Sequence, residues 1–160
     1  MRAFRLSLML AATFAITACN QQTSTHKVSN AKSGITISDA RLVLPAVTGN
    51  PAAAYFSVNN ETDQPAKILT VDVGGAGMAM MHETLNMGAR STMQDLSNTV
   101  VPAHQSLVFS PGGKHVMVTG LTDLIKKGTN TTLTLNFDDG QKAGVDLPVV
   151  PAGAAEKPAG

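Results

Sequence analysis

The feature that most constrains the fold is a succession of short β-type runs separated by turn residues. Alternating or β-rich runs occupy 35–38, 52–58, 66–73, 106–109, 115–118 and 132–137. Glycine-containing pairs such as Gly74-Gly75 and Asp139-Gly140 punctuate them, and the second pair is typical of a hairpin turn. Leu121–Lys127 could form one helical turn, but no long amphipathic helix is indicated. Short strands at this spacing predict an all-β sandwich or Greek-key barrel.

The N-terminal segment has the features of an export signal. Arg2 and Arg5 precede an apolar run shorter than the roughly 20 residues that a spanning helix needs. The sequence I-T-A-C ending at Cys19 resembles the lipobox of bacterial lipoproteins, which implies a lipid on Cys19; the alternative is an ordinary signal with a chance cysteine. We therefore predict a signal peptide at 1–18, a flexible tether at 19–32, a β domain at 33–150 and a disordered tail at 151–160.

Composition excludes several classes of function. Cys19 is the only cysteine, so the domain has no thiol for a disulfide, a thiolate metal site or a nucleophile. Removing Arg2 and Arg5 from the 12 basic residues leaves 10 against 11 acidic residues, so no basic face is indicated. With few aromatic residues as well, nucleic acid is not an expected partner. No nucleophile–base pattern or catalytic carboxylate pair is visible, so we do not expect an enzyme.

Methionines gather beside histidines in one part of the chain. Two of the eight methionines lie in the signal segment, and the other six all lie between 78 and 117. Methionines that fill gaps in a core should be scattered through the fold. Within this region four residues follow the pattern H-x10-M-x21-H-x-M, namely His82, Met93, His115 and Met117.

The H-x-M spacing of His115 and Met117 predicts how these two side chains are arranged. On a strand at 115–118, His115 and Met117 project from one face with Cα atoms about 7 Å apart, while Val116 and Val118 face the core. Two imidazoles and two thioethers are soft, neutral donors that suit Cu(I), whereas zinc more often takes cysteine or carboxylate. A blue-copper electron-transfer site would need a cysteine, and the domain has none.

The four residues at these spacings resemble the signature of the periplasmic copper(I) chaperone family PCu(A)C. The resemblance covers roughly 34–149 and includes M-M-H-E-T at 80–84, V-P-A at 101–103, S-P-G-G-K-H-V-M-V-T-G-L at 110–121 and L-T-L-N-F-D-D-G at 133–140. It implies a cupredoxin-like Greek-key β-barrel that holds one Cu(I) with His82, Met93, His115 and Met117. It also implies delivery of copper by ligand exchange to an acceptor, either a cytochrome c oxidase subunit with its CuA centre or another copper chaperone.

The sequence leaves open the roles of the other methionines and does not separate copper delivery from storage. Met81 adjoins His82 and is a candidate auxiliary ligand, whereas Met78, Met80 and Met87 could form a capture surface or fill loops. His104 is expected in a turn away from the site. Copper storage or resistance without a dedicated acceptor is the alternative function. The lipid would hold the protein to a membrane facing the bacterial periplasm, and Asn20 after Cys19 favours the outer membrane over the inner one.

Overall fold

A computed structural model describes residues 32–88 and 90–154, and within them it contains ten strands and no α-helix. This confirms the all-β prediction. The predicted signal peptide, almost all of the tether and residues 155–160 of the tail lie outside the described residues. The strands are β1 Ile35–Val43, β2 Ala52–Asn60, β3 Ala66–Val73, β4 Met78–Met87, β5 Arg90–Asp95, β6 Thr99–Val101, β7 Ser106–Phe109, β8 Lys114–Thr119, β9 Asn130–Phe137 and β10 Lys142–Val150.

The strands form two halves of a folded sheet that enclose one core. One half has the order β5-β4-β8-β2-β1 and the other β10-β9-β3-β6, and the parallel pair β1–β10 joins them. β7 pairs with the second part of β2, while β8 pairs with its first part. Buried side chains from both halves form a single apolar cluster, in which the rings of Phe56 and Phe109 stack at 4.4 Å between centroids.

Strand β2 shows how the sequence specifies this core. Its burial alternates along all nine residues, with the side chains of Ala52, Phe56 and Val58 pointing inward. Its last residue, Asn60, is also fully buried. The Asn60 amide donates hydrogen bonds to the carbonyls of Val101 and Gln64, and its oxygen accepts one from the backbone N–H of Thr62. A buried amide with these partners fixes the turn that leads from β2 to β3.

The strands that were not predicted from the sequence lack a regular alternation of β-forming residues. β4, β6 and β10 were not predicted as strands, and for β5 the sequence T-M-Q at 92–94 indicates only a short strand or a strand edge. β4 has the composition M-A-M-M-H-E-T-L-N-M, in which few residues favour strands intrinsically. β4 pairs with β8 on one side and β5 on the other, so tertiary pairing decides its conformation.

Backbone contacts extend slightly beyond the first and the last strand. Lys32, predicted as the end of the flexible tether, is attached to the domain: its backbone N–H donates to the Lys142 carbonyl and its ammonium group pairs with Asp139. At the other end, Ala154 N–H donates to the Pro151 carbonyl in a turn. The segment 121–127 also forms turns rather than a helix. Within the described residues no helix is both long and apolar enough to cross a membrane.

Candidate metal centre

The two histidines of the predicted site lie directly opposite each other on paired strands. In the antiparallel β4–β8 ladder His82 faces His115, and Met80 faces Met117. The two imidazole rings are 6.0 Å apart between centroids and inclined by 21°. Val116 and Val118 alternate with His115 and Met117 along β8, and both valines are fully buried on the inner face, as predicted. The histidines therefore project from the outer face of the sheet.

Met93 reaches the same face from the neighbouring strand β5. It lies opposite Thr84, which is two residues beyond His82 on β4, so the Met93 and His82 side chains share one face. Met93 is 49% exposed, on a strand whose six residues are all exposed. It contributes to a depression of about 350 Å³ lined by Pro51, Ala52, Ala53, Tyr55, Thr84, Met93, Gly112, His115 and Met117. The structure thus brings all four predicted residues to one face.

The contacts at Nδ1 indicate which nitrogen of each histidine can face a metal ion. The Nδ1–H of His115 donates to the Gly113 carbonyl at 3.0 Å. The Nδ1 of His82 lies 3.3 Å from the Asp95 carboxylate. Because a carbonyl or carboxylate oxygen can only accept, the proton is placed on Nδ1 in both rings, and in the neutral imidazole Nε2 then presents the lone pair. Metal-binding histidines are usually oriented in this way by an acceptor on the second nitrogen.

The free nitrogen of His82 is an unusual buried group. His82 is only 6% exposed, and its Nε2 has no hydrogen-bond partner among the described residues. A buried acceptor without a partner is energetically unfavourable, so such groups generally have a further role. A metal ion bound to Nε2 would satisfy this lone pair. The donors available on this face therefore fit a metal ion that prefers imidazole and thioether.

The donors of this face are nitrogen and sulfur more than oxygen. Among residues 32–88 and 90–154, no three His, Cys, Asp or Glu side chains lie close enough together to hold a metal ion. The other soft donors beside the histidines are the thioethers of Met93 and Met117. Four such ligands carry no charge, which suits Cu(I) better than a hard divalent cation.

An ion pair joins the two histidine strands on the face away from the site. Glu83 lies opposite Lys114 in the ladder, and its carboxylate accepts a hydrogen bond from the lysine Nζ at 2.6 Å. This hydrogen bond holds the pKa of Glu83 below its ordinary value of 4.5. A carboxylate kept ionised in this way supports the strand pairing next to the histidines and is poorly suited to act as an acid catalyst.

The structure places Met81 differently from the prediction. Met81 was a candidate auxiliary ligand because it adjoins His82, but alternation along β4 turns its side chain to the inner face, where it is 5% exposed and packs in the core. An auxiliary ligand role for Met81 does not fit this geometry. Met80, whose role the sequence left open, lies on the outer face instead.

A further prediction concerns His104, which was expected in a turn away from the site. His104 lies in the turn between β6 and β7, as expected, and its Nε2 contacts the Asp63 carboxylate at 2.9 Å. The orienting contacts from Asp95 and the Gly113 carbonyl were missed. Asp95 could have been found, because it lies two residues beyond Met93 on the same strand face, whereas the Gly113 contact depends on the local turn.

Comparisons with known proteins connect this fold to copper-binding domains. The copper-bound PCuAC domain from PmoF2 superposes with a TM-score of 0.59 at 20% identity, covering 79% of this chain and 97% of that one. The solution structure of CuI-DR1885 from Deinococcus radiodurans superposes with a TM-score of 0.54 at 26% identity, covering 82% of this chain and 85% of that one. These likenesses confirm the predicted cupredoxin-like fold.

The sequence comparisons give the family. A curated relative, "Putative lipoprotein Lxx21020" of Leifsonia xyli subsp. xyli (strain CTCB07), is 27% identical over 149 residues, which cover 92% of this chain and 90% of the relative. The family model described as "Putative lipoprotein LpqE-like" matches residues 35–149, which include all ten strands except the last residue of β10. The chain belongs to the LpqE-like family, and its fold is that of the PCuAC domains.

Proposed function

We propose that this protein is a non-enzymatic copper chaperone that binds one Cu(I) through His82, Met93, His115 and Met117. The observation that carries the proposal is the facing histidine pair, with both Nδ1 atoms held by acceptors and the buried Nε2 of His82 lacking a partner. The Cu(I)-bound state of the D. radiodurans relative supports the choice of metal. Copper is the cargo of this protein, so the site must release it as well as bind it.

The exposure of the donors suggests an order for ligand exchange. His82 is buried and held between β5 and β8, whereas Met93 is half exposed on the edge strand β5. A thioether is a neutral and flexible ligand that can leave without a proton. An incoming donor from an acceptor protein would therefore displace Met93 first and the histidines later. Copper remains Cu(I) throughout, and no electron is transferred.

We place this activity at the bacterial cell envelope. The predicted lipid on Cys19 would hold the domain at a membrane surface facing the periplasm, with residues 20–31 as the tether. The lipoprotein descriptions of the family and of the L. xyli relative support this placement. The proposed acceptor is a subunit of a respiratory oxidase, at its CuA centre, or another copper chaperone that serves it.

Competition against a chromogenic Cu(I) chelator tests the site. A residue that binds the metal directly should matter at least as much as one that only orients a ligand, so His115→Ala and Met117→Ala should each lower the Cu(I) affinity by roughly tenfold or more. His104→Ala and Met87→Ala are matched controls, because both residues are exposed and lie outside the donor set; they should leave the affinity unchanged. Unchanged affinity in both site variants, or an X-ray absorption spectrum without sulfur scatterers, would contradict the proposal.

A deletion strain tests delivery as distinct from binding. Oxidase activity should fall in copper-limited cells that lack the protein and recover with added copper or with the wild-type gene. Complementation with the His115→Ala variant should fail, whereas the His104→Ala variant should succeed. Normal oxidase activity under copper limitation would favour storage or resistance over delivery.

A further inference from the structure

The β4–β8 ladder carries two consecutive pairs of potential copper donors. His82 lies opposite His115, and Met80 lies opposite Met117 in the next outer-face pair. Residues directly opposite in an antiparallel ladder have Cβ atoms about 4.5–5.5 Å apart, and the two pairs are separated by roughly 7 Å along the strands. The motif M-x-H at 80–82 thus mirrors H-x-M at 115–117. Two strands alone present two nitrogens and two sulfurs on one face.

The exposure of Met80 argues against a packing role. Its side chain is 41% exposed, in contrast to the adjacent Met81 in the core. Met78, two residues earlier on the same face, is also exposed. Side chains that fill a core lie between other apolar groups, whereas these thioethers face solvent beside Met117 and the histidine pair. They are accessible to a soft metal ion arriving at or leaving this face.

Met80 and Met93 approach the histidine pair from different sides. Met93 comes from the edge strand β5 and lies opposite Thr84, on the C-terminal side of His82 along β4. Met80 lies on the N-terminal side of His82 and on the same strand. Met93 lines the depression beside His115, and Met80 does not. The two thioethers therefore lie on opposite sides of His82 along β4.

Resting on the function proposed above, we propose that Met80 is a fifth copper donor that replaces Met93 during ligand exchange. The copper–sulfur bond to Met93 breaks as a bond to the Met80 sulfur forms, while His82, His115 and Met117 stay bound. Both thioethers are neutral, so the exchange moves no proton and leaves the metal as Cu(I). The exchange exposes the copper at the Met80 side of the ladder, with Met78 next along the same face.

A double-mutant cycle with two readouts tests this role. X-ray absorption of Cu(I)-loaded protein should show two sulfur ligands in wild type, in Met93→Ala and in Met80→Ala, but one in the double variant. Chelator competition should show a small effect of Met80→Ala alone and a further loss of roughly tenfold or more when it is added to Met93→Ala. Met87→Ala added to Met93→Ala is the control, because Met87 is exposed but lies on the opposite face of β4; it should add nothing.

A third readout reports directly on the sulfur of Met80. Ag(I) is a redox-inert substitute for Cu(I), and a thioether bound to a metal is shielded from oxidation to the sulfoxide. Mass spectrometry after mild peroxide treatment should show protection of Met117 in the Ag(I)-loaded wild type and no protection of Met87. In Met93→Ala, Met80 should be protected as well.

The outcomes separate this inference from the proposed function. If wild type shows sulfur ligation and His115→Ala weakens it, but the Met80→Ala/Met93→Ala variant equals Met93→Ala in sulfur number and affinity, then the role of Met80 is overturned while the copper site stands. If wild type shows no sulfur ligation, the proposed function itself fails, and the role of Met80 fails with it.

Discussion

The two faces of strands β4 and β8 differ completely although they are built from alternating residues of the same segments. The inner face carries Met81, Val116 and Val118, which are buried in the core. The outer face carries the facing histidines and their neighbouring methionines. Met80 and Met81 show the contrast most clearly, because these adjacent methionines are exposed and buried, respectively.

This difference separates the residues that hold the fold from those that we propose bind the metal. Inner-face side chains contribute to stability through burial of apolar surface. The outer-face side chains Met80, His82, His115 and Met117 lie outside the apolar core cluster, so their donor atoms are available for another role. Substitutions on the inner face should therefore lower the free energy of unfolding, whereas substitutions on the outer face should lower the Cu(I) affinity.

The largest effect on the free energy of unfolding should come from the inner face. Met81→Ala leaves a cavity in the core and should lower the stability of the metal-free protein by about 2–5 kcal/mol. The adjacent Met80→Ala should change it by less than about 0.5 kcal/mol. Urea unfolding of the metal-free proteins measures both values. Equal losses for the two methionines would break the comparison between the faces.

Copper should stabilise the fold through the outer face only. Free Cu(I) at a hundred times its dissociation constant should raise the free energy of unfolding by about 2.7 kcal/mol, because it binds the folded state. At the same Cu(I) concentration His115→Ala should lose about half of this gain for a tenfold loss of affinity, and more for a larger loss, with little effect on the metal-free protein, whereas His104→Ala should keep it. Thermal unfolding with and without Cu(I) under reducing conditions gives the measurement. Equal copper stabilisation of both variants would contradict the assigned site.

A smaller effect on affinity should follow from the contact that orients His82. Asp95→Ala removes the carboxylate beside His82 Nδ1 and should weaken Cu(I) binding by roughly tenfold. This is the low end of the effect expected for a residue that orients a metal-binding histidine, because Asp95 is exposed. Asp95→Asn retains an acceptor oxygen and should lose less. Nitrogen NMR shifts of the His82 ring should show the tautomer protonated at Nδ1 in the wild type. Equal affinity in Asp95→Ala and wild type would show that β4 alone orients the ring.

The smallest effect should come from a surface contact remote from either face of the ladder. The hydrogen bond from Lys32 holds the pKa of Asp139 below its ordinary value of 3.8. A carboxylate whose pKa is lowered by folding stabilises the protein above the unfolded-state pKa, and the contribution is lost as the pH falls through the folded-state pKa. Asp139→Asn should therefore be slightly less stable than wild type at neutral pH, and the difference should vanish in acid. Unfolding titrations from pH 7 to pH 2 check this, with Cu(I) affinity at neutral pH expected to stay unchanged.

Strands were predictable where alternation and turn residues agree, and this explains which of them were found. β3 at 66–73 and β7 at 106–109 match the predicted bounds, and Asp139-Gly140 forms the turn of the β9–β10 hairpin as expected. β10 was missed although it completes that hairpin, because K-A-G-V-D-L-P-V-V contains glycine and proline inside the strand. β4 was missed because its methionines, alanine and glutamate have little intrinsic preference for strands.

For the candidate site, the sequence by itself determined the donor types and one half of the geometry. An H-x-M pair on a strand has to share a face because the side-chain period is two, so His115 and Met117 could be placed together. The absence of cysteine from residues 20–160 removed thiolate from the donor set. These conclusions depend on local periodicity and composition, which are read directly from the chain.

Only the tertiary structure decided which residues lie opposite this pair. The register of β4 against β8 sets His82 against His115 and Met80 against Met117, and a slip of one residue would have brought Met81 outward instead. Register depends on long-range packing of both faces and on the turns that join the strands, so it has no local signature. The assignment of Met80 in place of Met81, and of Asp95 as the partner of His82, follows from that register.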